Sequence, residues 1–176
     1  MNTIILTVFF LTVLLRLVSM VISGINERKL KKMGAVEYGK RNSMFLIVAH
    51  ILFYLSCITE GALKGAFFYD NISYAGLAIF VASVAVLYYV IYSIRHIWTL
   101  KLILAPPGYH TINKSALFRI VRHPNYYLSV IPELVGFAIF FHAWGTLLIG
   151  MAIYLIPLVN RIREEEKVMK LEFNDY

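Results

Sequence analysis

The stretch VRHPNYYLSVIPE, residues 121–133, holds the residue types and spacing best suited to chemistry. Arg122 and His123 stand before Pro124, and an apolar run follows. Pro124 favours an extended backbone before it and suits the first turn of a helix after it. The free N–H groups at the start of that helix would face the basic pair and favour an anion. A simple capping role for His123 is the alternative.

Glu133 is a carboxylate inside that apolar run. A charge within a membrane is costly, so such a residue normally faces a cavity or a partner. It follows Tyr126 by seven residues, or two helical turns, so both lie on one face of the helix. A structural ion pair with Arg16 is the alternative to a catalytic role.

A second polar stretch, NRIREEEKVMKLEF at residues 160–173, follows the last apolar run. Arg161 and Glu165 share one helical face, and Glu166 lies beside them. A helix that rests on a membrane surface normally carries basic residues on its polar side, whereas three successive glutamates occur here. A solvated surface is the alternative, but beside the His-Pro loop this stretch predicts the second half of a pocket.

Cations, carboxylates and aromatic rings would meet in that pocket. Carboxylates can hold an ammonium group, basic groups can hold a carboxylate, and aromatic faces can hold a cation or an adenine. We find no dinucleotide- or phosphate-binding loop, no metal-ligand motif and no arranged Ser or Cys nucleophile. A zwitterionic, aromatic and sulfonium-bearing ligand would suit such a site, and we expect no metal.

The elements that must position these residues are membrane helices. Of the 176 residues, 60% are hydrophobic and 15% are charged, and the mean hydropathy is +0.71. A soluble domain would carry more charge, and the apolar residues form blocks of membrane-spanning length. We predict an all-α integral membrane protein with one domain over residues 1–176. Its spans would lie at about 3–23, 44–62, 74–97, 126–141 and 144–159. The last two would form a hairpin with an amphipathic tail, and residues 104–176 would hold the cofactor.

The basic residues indicate how the chain crosses the membrane. All 17 lysines and arginines except Arg16 and Lys64 fall on one side of the five-span arrangement. The positive-inside rule then places the N-terminus outside and the C-terminus, with the pocket, in the cytoplasm of a cell (inner) membrane. The net charge of +7 needs no nucleic-acid partner on this account. The single cysteine, Cys57, excludes an internal disulfide.

Two connecting segments carry further expectations. Residues 26–42 predict a short cytoplasmic helix and a turn that bind anionic lipid head groups, with substrate gating as the alternative. Pro106 and Pro107 cannot donate backbone hydrogen bonds, so with Gly108 they should end the third helix.

HTINKSALFRIVRHPNYY and RIREEEKVMKLEF together resemble the isoprenylcysteine carboxyl methyltransferase family and its short bacterial relatives. The residues that match in order and spacing are His110, Arg122, His123, Pro124, Tyr126, Arg161, Glu165, Glu166 and Phe173. The chain departs from the family at Leu128 and Asn174, where the family has glycines, and at Met169, where it has leucine. The resemblance implies that S-adenosylmethionine is bound by His110, His123, Pro124, Tyr126, Glu165 and Glu166.

The resemblance also implies methyl transfer to a lipophilic acceptor that enters from the bilayer. An isoprenylcysteine carboxylate, or a polyketide lipid like those of similar alkylpyrone O-methyltransferases, would offer an acidic oxygen that needs no general base. Arg122 and Arg161 would orient that anion through their planar guanidinium groups, and Glu133 is the third catalytic candidate. Two alternatives stay open: a non-enzymatic lipid-binding or transporter-associated membrane protein, and a phospholipid amine N-methyltransferase. The oligomeric state stays open as well.

Overall fold

A computed structural model describes residues 3–65, 70–106, 109, 118 and 121–172. Within them, the helices are α1 (Thr3–Lys32), α2 (Lys40–Leu63), α3 (Asn71–Ser93), α4 (Ile131–Phe140) and α5 (Met151–Glu172). A π-helical segment leads into each of the last two, π1 (Asn125–Val130) into α4 and π2 (Thr146–Gly150) into α5. Two short strands, β1 (Val36–Tyr38) and β2 (Leu102–Leu104), complete the described elements.

The helices confirm an all-α integral membrane protein. Four of them are long and apolar enough to cross a bilayer: α1, α2, α3 and the stretch Thr146–Leu171. The apolar helix at Asn125–Phe140 is shorter. Large apolar side chains such as Phe10 and Leu63 are exposed on the helix surfaces, as lipid contact requires.

The predicted end of the third helix was wrong, and two other helices continue beyond the predicted spans. The first helix does not stop near residue 23 but continues to Lys32, so no separate short helix forms in the segment 26–42. The third helix ends at Ser93, well before Pro106, because Ile94 leaves the helical region of backbone angles. The predicted fifth span and the tail are one helix, α5, which runs without a break through the three glutamates.

Helices α3 and α4 cross at a pair of glycines. A Cβ atom on Gly76 would lie 2.4 Å from the Phe140 nitrogen, and one on Gly136 would lie 2.6 Å from the Phe80 nitrogen. The backbones can approach this closely only because neither residue has a side chain. The crossing fixes the short fourth helix, and therefore π1, against the longer third helix.

Aromatic side chains fill the centre of the bundle around α4. Phe9 of α1 stacks on Phe140 with ring centroids 4.7 Å apart, and Tyr54 of α2 stacks on Phe137 at 4.0 Å. These rings hold α1 and α2 against neighbouring turns of the fourth helix. The ring of Tyr54 thereby brings its hydroxyl beside Glu133.

A two-stranded antiparallel sheet, which the sequence did not predict, lies at the end of the bundle where α1 ends and α2 begins. We call this the loop end of the bundle. Val36 pairs with Leu104 and Tyr38 with Leu102, so the α1–α2 connection is joined to the chain that follows α3. Val168 of α5 packs against the buried leucines of β2. The sheet therefore supports the C-terminal helix where its glutamates occur.

Candidate functional site

A polar cluster lies where π1 meets α5, and we call it the loop-end cluster: His123, Tyr126, Arg161, Glu165 and Glu166. The two ring nitrogens of His123 lie 3.4 Å from Glu165 Oε1 and 3.3 Å from Glu166 Oε1. The Tyr126 hydroxyl donates to Glu165 Oε2 at 2.6 Å and accepts from Arg161 Nε at 3.1 Å. The two stretches that the sequence singled out thus meet, as predicted.

The backbone at the His-Pro step explains how this end of the cluster forms. Pro124 is buried and has helical backbone angles directly before π1, so it begins the helix as expected. The carbonyl of His123 accepts from the N–H groups of both Tyr126 and Tyr127. The His123 ring is buried beside the first turn, with its centroid 5.9 Å from that of Tyr126.

Arg161 is buried and bound to the protein on several sides. Besides the Tyr126 hydroxyl, its guanidinium donates to Ser43 Oγ of α2 at 2.5 Å and to the Leu100 carbonyl at 3.2 Å. Three separate segments of the chain are therefore joined through this one side chain. Arg122, by contrast, is exposed.

The charges of the cluster act on His123. Burial of the ring lowers its pKa, but the hydrogen bonds and negative charges of Glu165 and Glu166 outweigh that effect and leave the pKa raised. His123 therefore holds a proton more readily than a free histidine does. A protonated ring would satisfy both carboxylates at once.

The carboxylates of the cluster are partly exposed and can bind a ligand. The side chains of Glu165 and Glu166 are 26% and 36% exposed. Asn125 Oδ1 is buried and accepts no hydrogen bond from the described residues. The predicted ligand His110 and the matching residue Phe173 lie outside the described residues. The described part of the chain contains no group of three or more side chains placed to hold a metal ion.

A second polar group, which we call the core cluster, lies deeper in the bundle: Arg16, His50, Tyr54, Glu133 and Tyr154. Glu133 is fully buried, and its Oε1 accepts from Arg16 Nε at 2.6 Å and from the Tyr54 hydroxyl. His50 Nε2 lies 3.4 Å from the same oxygen, and its Nδ1 lies 3.3 Å from the Tyr154 hydroxyl. The ion pair with Arg16, which the sequence left open, is present.

On four helices, a residue of the core cluster lies seven positions from a polar residue at the level of the loop-end cluster. Each of these helices carries one polar residue near the loop end and a second one two turns deeper, at Ser23 and Arg16, Ser43 and His50, Tyr126 and Glu133, Arg161 and Tyr154. Ser23 lies at the level of the loop-end cluster, because its Oγ accepts a hydrogen bond from the N–H group of Leu100, whose carbonyl accepts from Arg161. Seven residues correspond to a rise of roughly 10 Å.

Sequence reasoning missed four of the participants: Ser23, Ser43, Tyr54 and Tyr154. A signal was present, since Ser43 and His50 repeat the spacing that relates Tyr126 to Glu133. Only the packing shows that these repeats face one another.

Comparison with known proteins gives the family. The sequence profile of the isoprenylcysteine carboxyl methyltransferase (ICMT) family matches residues 76–171, more than half of the chain. An uncharacterized protein of Haemophilus influenzae is 46% identical over 155 residues, which cover 88% of each chain. The uncharacterized protein YpbQ of Bacillus subtilis is 31% identical over 156 residues, which cover 88% of this chain and 90% of YpbQ. No solved structure matches the chain.

Proposed function

Because the chain belongs to the isoprenylcysteine carboxyl methyltransferase family, we propose that it transfers a methyl group from S-adenosylmethionine to an acidic oxygen of a lipophilic acceptor. Family membership and the apolar helices support a membrane methyltransferase in general. One observation carries the finer proposal: the loop-end cluster joins residues from both motifs within hydrogen-bond distance.

The residues of the loop-end cluster fit S-adenosylmethionine by their chemistry. The partly exposed carboxylates of Glu165 and Glu166 suit an ammonium group, and Asn125 Oδ1 is a further buried acceptor without a described donor. The ring of Tyr126, which lies next to His123, offers aromatic surface to an adenine or a sulfonium. When bound, S-adenosylmethionine supplies a methyl group whose bond to sulfur breaks, leaving its electron pair on sulfur, as an oxygen lone pair forms the new O–CH₃ bond.

The protein's own contribution would be positioning and exclusion of water. An acidic oxygen is ionised before it binds, so no base is needed, and transfer depends on holding the two reactants in line. Arg122 is exposed beside the cluster and is the residue we assign to the acceptor's anionic head. The guanidinium of Arg161 already bridges three segments, so we assign it to orienting the acceptor through its hold on Tyr126.

We further propose that the loop end faces the cytoplasm of a cell membrane, with the acceptor and membrane lipids as the partners. The support is the distribution of lysines and arginines, nearly all of which fall on one side of the predicted five-span arrangement. A reporter fused after Tyr176 should then be cytoplasmic. One placed between α2 and α3 should be outside, and the reverse result would contradict this orientation.

The cofactor assignment is tested by equilibrium binding of S-adenosylhomocysteine to detergent-purified protein. His123→Ala and Glu165→Gln each remove a charge-assisted contact and should weaken binding roughly tenfold to a hundredfold. Arg163→Gln is the matched control, because Arg163 lies on the exposed face of the same helix. Unchanged binding in both site variants would refute the assignment.

The acceptor assignment is tested with labelled methyl donor and a panel of alkylpyrones, prenylcysteines, fatty acids and phospholipid amines. Methylation of lipids with an acidic oxygen, reduced in Arg122→Gln, is the expected result. Methylation confined to amines would support the N-methyltransferase alternative. Cofactor binding without any transfer, or no cofactor binding at all, would favour a lipid-binding protein.

A further inference from the structure

Only one of the two carboxylate oxygens of Glu133 has partners among the described residues. Three groups, Arg16 Nε, the Tyr54 hydroxyl and His50 Nε2, converge on its Oε1. Its Oε2 is buried and has no hydrogen-bond partner among the described residues. A buried, charged acceptor atom without a donor costs free energy, so this oxygen favours a ligand that can donate.

Ser129 marks where such a ligand would lie. It is fully buried on π1, one turn from Glu133 toward Tyr126, and its hydroxyl also has no partner among the described residues. Two buried polar atoms without a partner among the described residues therefore occur on residues one helical turn apart, Ser129 and Glu133. Neither is needed to hold the ion pair of Arg16 and Glu133.

The core cluster is accessible from the side of the bundle. The side chain of Arg16 is 11% exposed and that of His50 is 15% exposed, although both contact the buried Glu133. Helix α1 packs mainly on α3, whereas α2 packs on α4 and α5. The partly exposed side chains of Arg16 and His50 are where a ligand would reach the cluster.

An ionised carboxylate only accepts hydrogen bonds, and this restricts the ligand's chemistry. A carbonyl, an ether oxygen or a plain alkyl chain cannot satisfy Glu133 Oε2, whereas a hydroxyl can, and the same hydroxyl can accept from a second group. The distance between the clusters is roughly 10 Å, two helical turns.

We propose that the core cluster binds a hydroxyl group of the acceptor lipid, carried about two helical turns from the oxygen that is methylated. This inference rests on the proposed function for the position of the reacting oxygen. It adds a second recognition point, which would select acceptors with a polar group part-way along the chain over plain ones.

Binding of lipids to the protein in nanodiscs tests this point without relying on methyl transfer. The probes are a plain fatty acid, the same acid with a hydroxyl roughly 10 Å from its carboxylate, and an isomer with the hydroxyl at the chain end. The wild type should prefer the mid-chain hydroxyl by roughly tenfold or more over both others. Equal affinities would overturn the proposal and would indicate that water alone occupies the site.

Variants locate the effect. Arg16→Met/Glu133→Leu replaces the ion pair by apolar side chains of similar size, a change that buried pairs often tolerate, and should abolish the preference. Ser129→Ala is a milder change and should reduce it. Tyr88→Phe removes a hydroxyl that bonds the Leu15 carbonyl outside the cluster, and should leave the preference intact.

A preference that survives in both site variants would also overturn the proposal. S-adenosylhomocysteine binding, measured on the same samples, reports separately on the proposed function. Loss of cofactor binding in the wild type would refute that function, whereas the lipid preference reports on the core cluster alone.

Discussion

The loop-end cluster and the core cluster share two helices, through Tyr126 and Glu133 and through Arg161 and Tyr154, yet they balance their charges differently. In the core cluster one arginine meets one glutamate, and two tyrosine hydroxyls and the His50 ring surround the pair. In the loop-end cluster two partly exposed glutamates share one histidine, and Arg161 is bound mainly to neutral acceptors. The first arrangement joins helices, whereas the second leaves negative charge available to a cationic ligand.

Breaking the ion pair of Arg16 and Glu133 should have the largest effect on the free energy of unfolding. Glu133→Leu alone leaves Arg16 buried without its counter-charge, and we expect a loss of about 3–5 kcal/mol in the free energy of unfolding. Arg16→Met/Glu133→Leu should recover most of that loss, because no unpaired charge remains. Denaturant unfolding in detergent measures both. Equal destabilisation in the two variants would show that the pair is not the source of the stability.

Disturbing the α3–α4 crossing should affect both clusters together, since one helix carries Tyr126 and Glu133. In Gly136→Ala the new Cβ would meet backbone atoms of Phe80 and Gly76, which cannot move aside, at a cost of about 1–3 kcal/mol. Cofactor binding should weaken as well. Gly24→Ala is the control, since a Cβ there has no neighbour within 4 Å and should cost nothing. A fully stable Gly136→Ala would contradict the close crossing.

Removing one hydroxyl should change cofactor binding at the loop-end cluster without changing lipid binding at the core cluster. Tyr126→Phe deletes the group that joins Arg161 to Glu165 and should cost about 1 kcal/mol of stability. S-adenosylhomocysteine affinity should fall, whereas the lipid preference of the core cluster should stay. Tyr88→Phe, which removes a hydroxyl bonded to a backbone carbonyl, controls for the loss of a tyrosine hydroxyl as such. An unaffected cofactor affinity would place Tyr126 outside the site.

The sequence predicted what depends on short-range pattern. Apolar blocks identified the helices, the His-Pro motif identified the start of π1, and the charge of Glu133 in an apolar run raised a pair with Arg16 as one of two alternatives, which the structure contains. It could not predict the pairing of β1 with β2, because strands of three residues carry no periodic signal. The ties of Arg161 to Ser43 and the Leu100 carbonyl were missed for a related reason: they depend on which faces meet across the bundle.

The smallest expected effect is a pH dependence that belongs to the loop-end cluster alone. Glu165 and Glu166 raise the pKa of His123 against the opposing effect of burial, so its protonated form is favoured in the folded state. A group with a raised folded-state pKa stabilises the protein fully below its unfolded pKa, about 6.5, and the contribution is lost as the pH rises through the folded value. His123→Gln should therefore lower stability more at about pH 6 than at about pH 8.5, by under about 1 kcal/mol, because the carboxylates are partly screened. Thermal unfolding of wild type and variant at both pH values measures the difference. His96→Gln, at an exposed histidine outside the cluster, is the matched control substitution. A destabilisation by His123→Gln that grows with pH would mean that the ring is held neutral, and the cluster would then lack the charge balance that distinguishes it from the core pair.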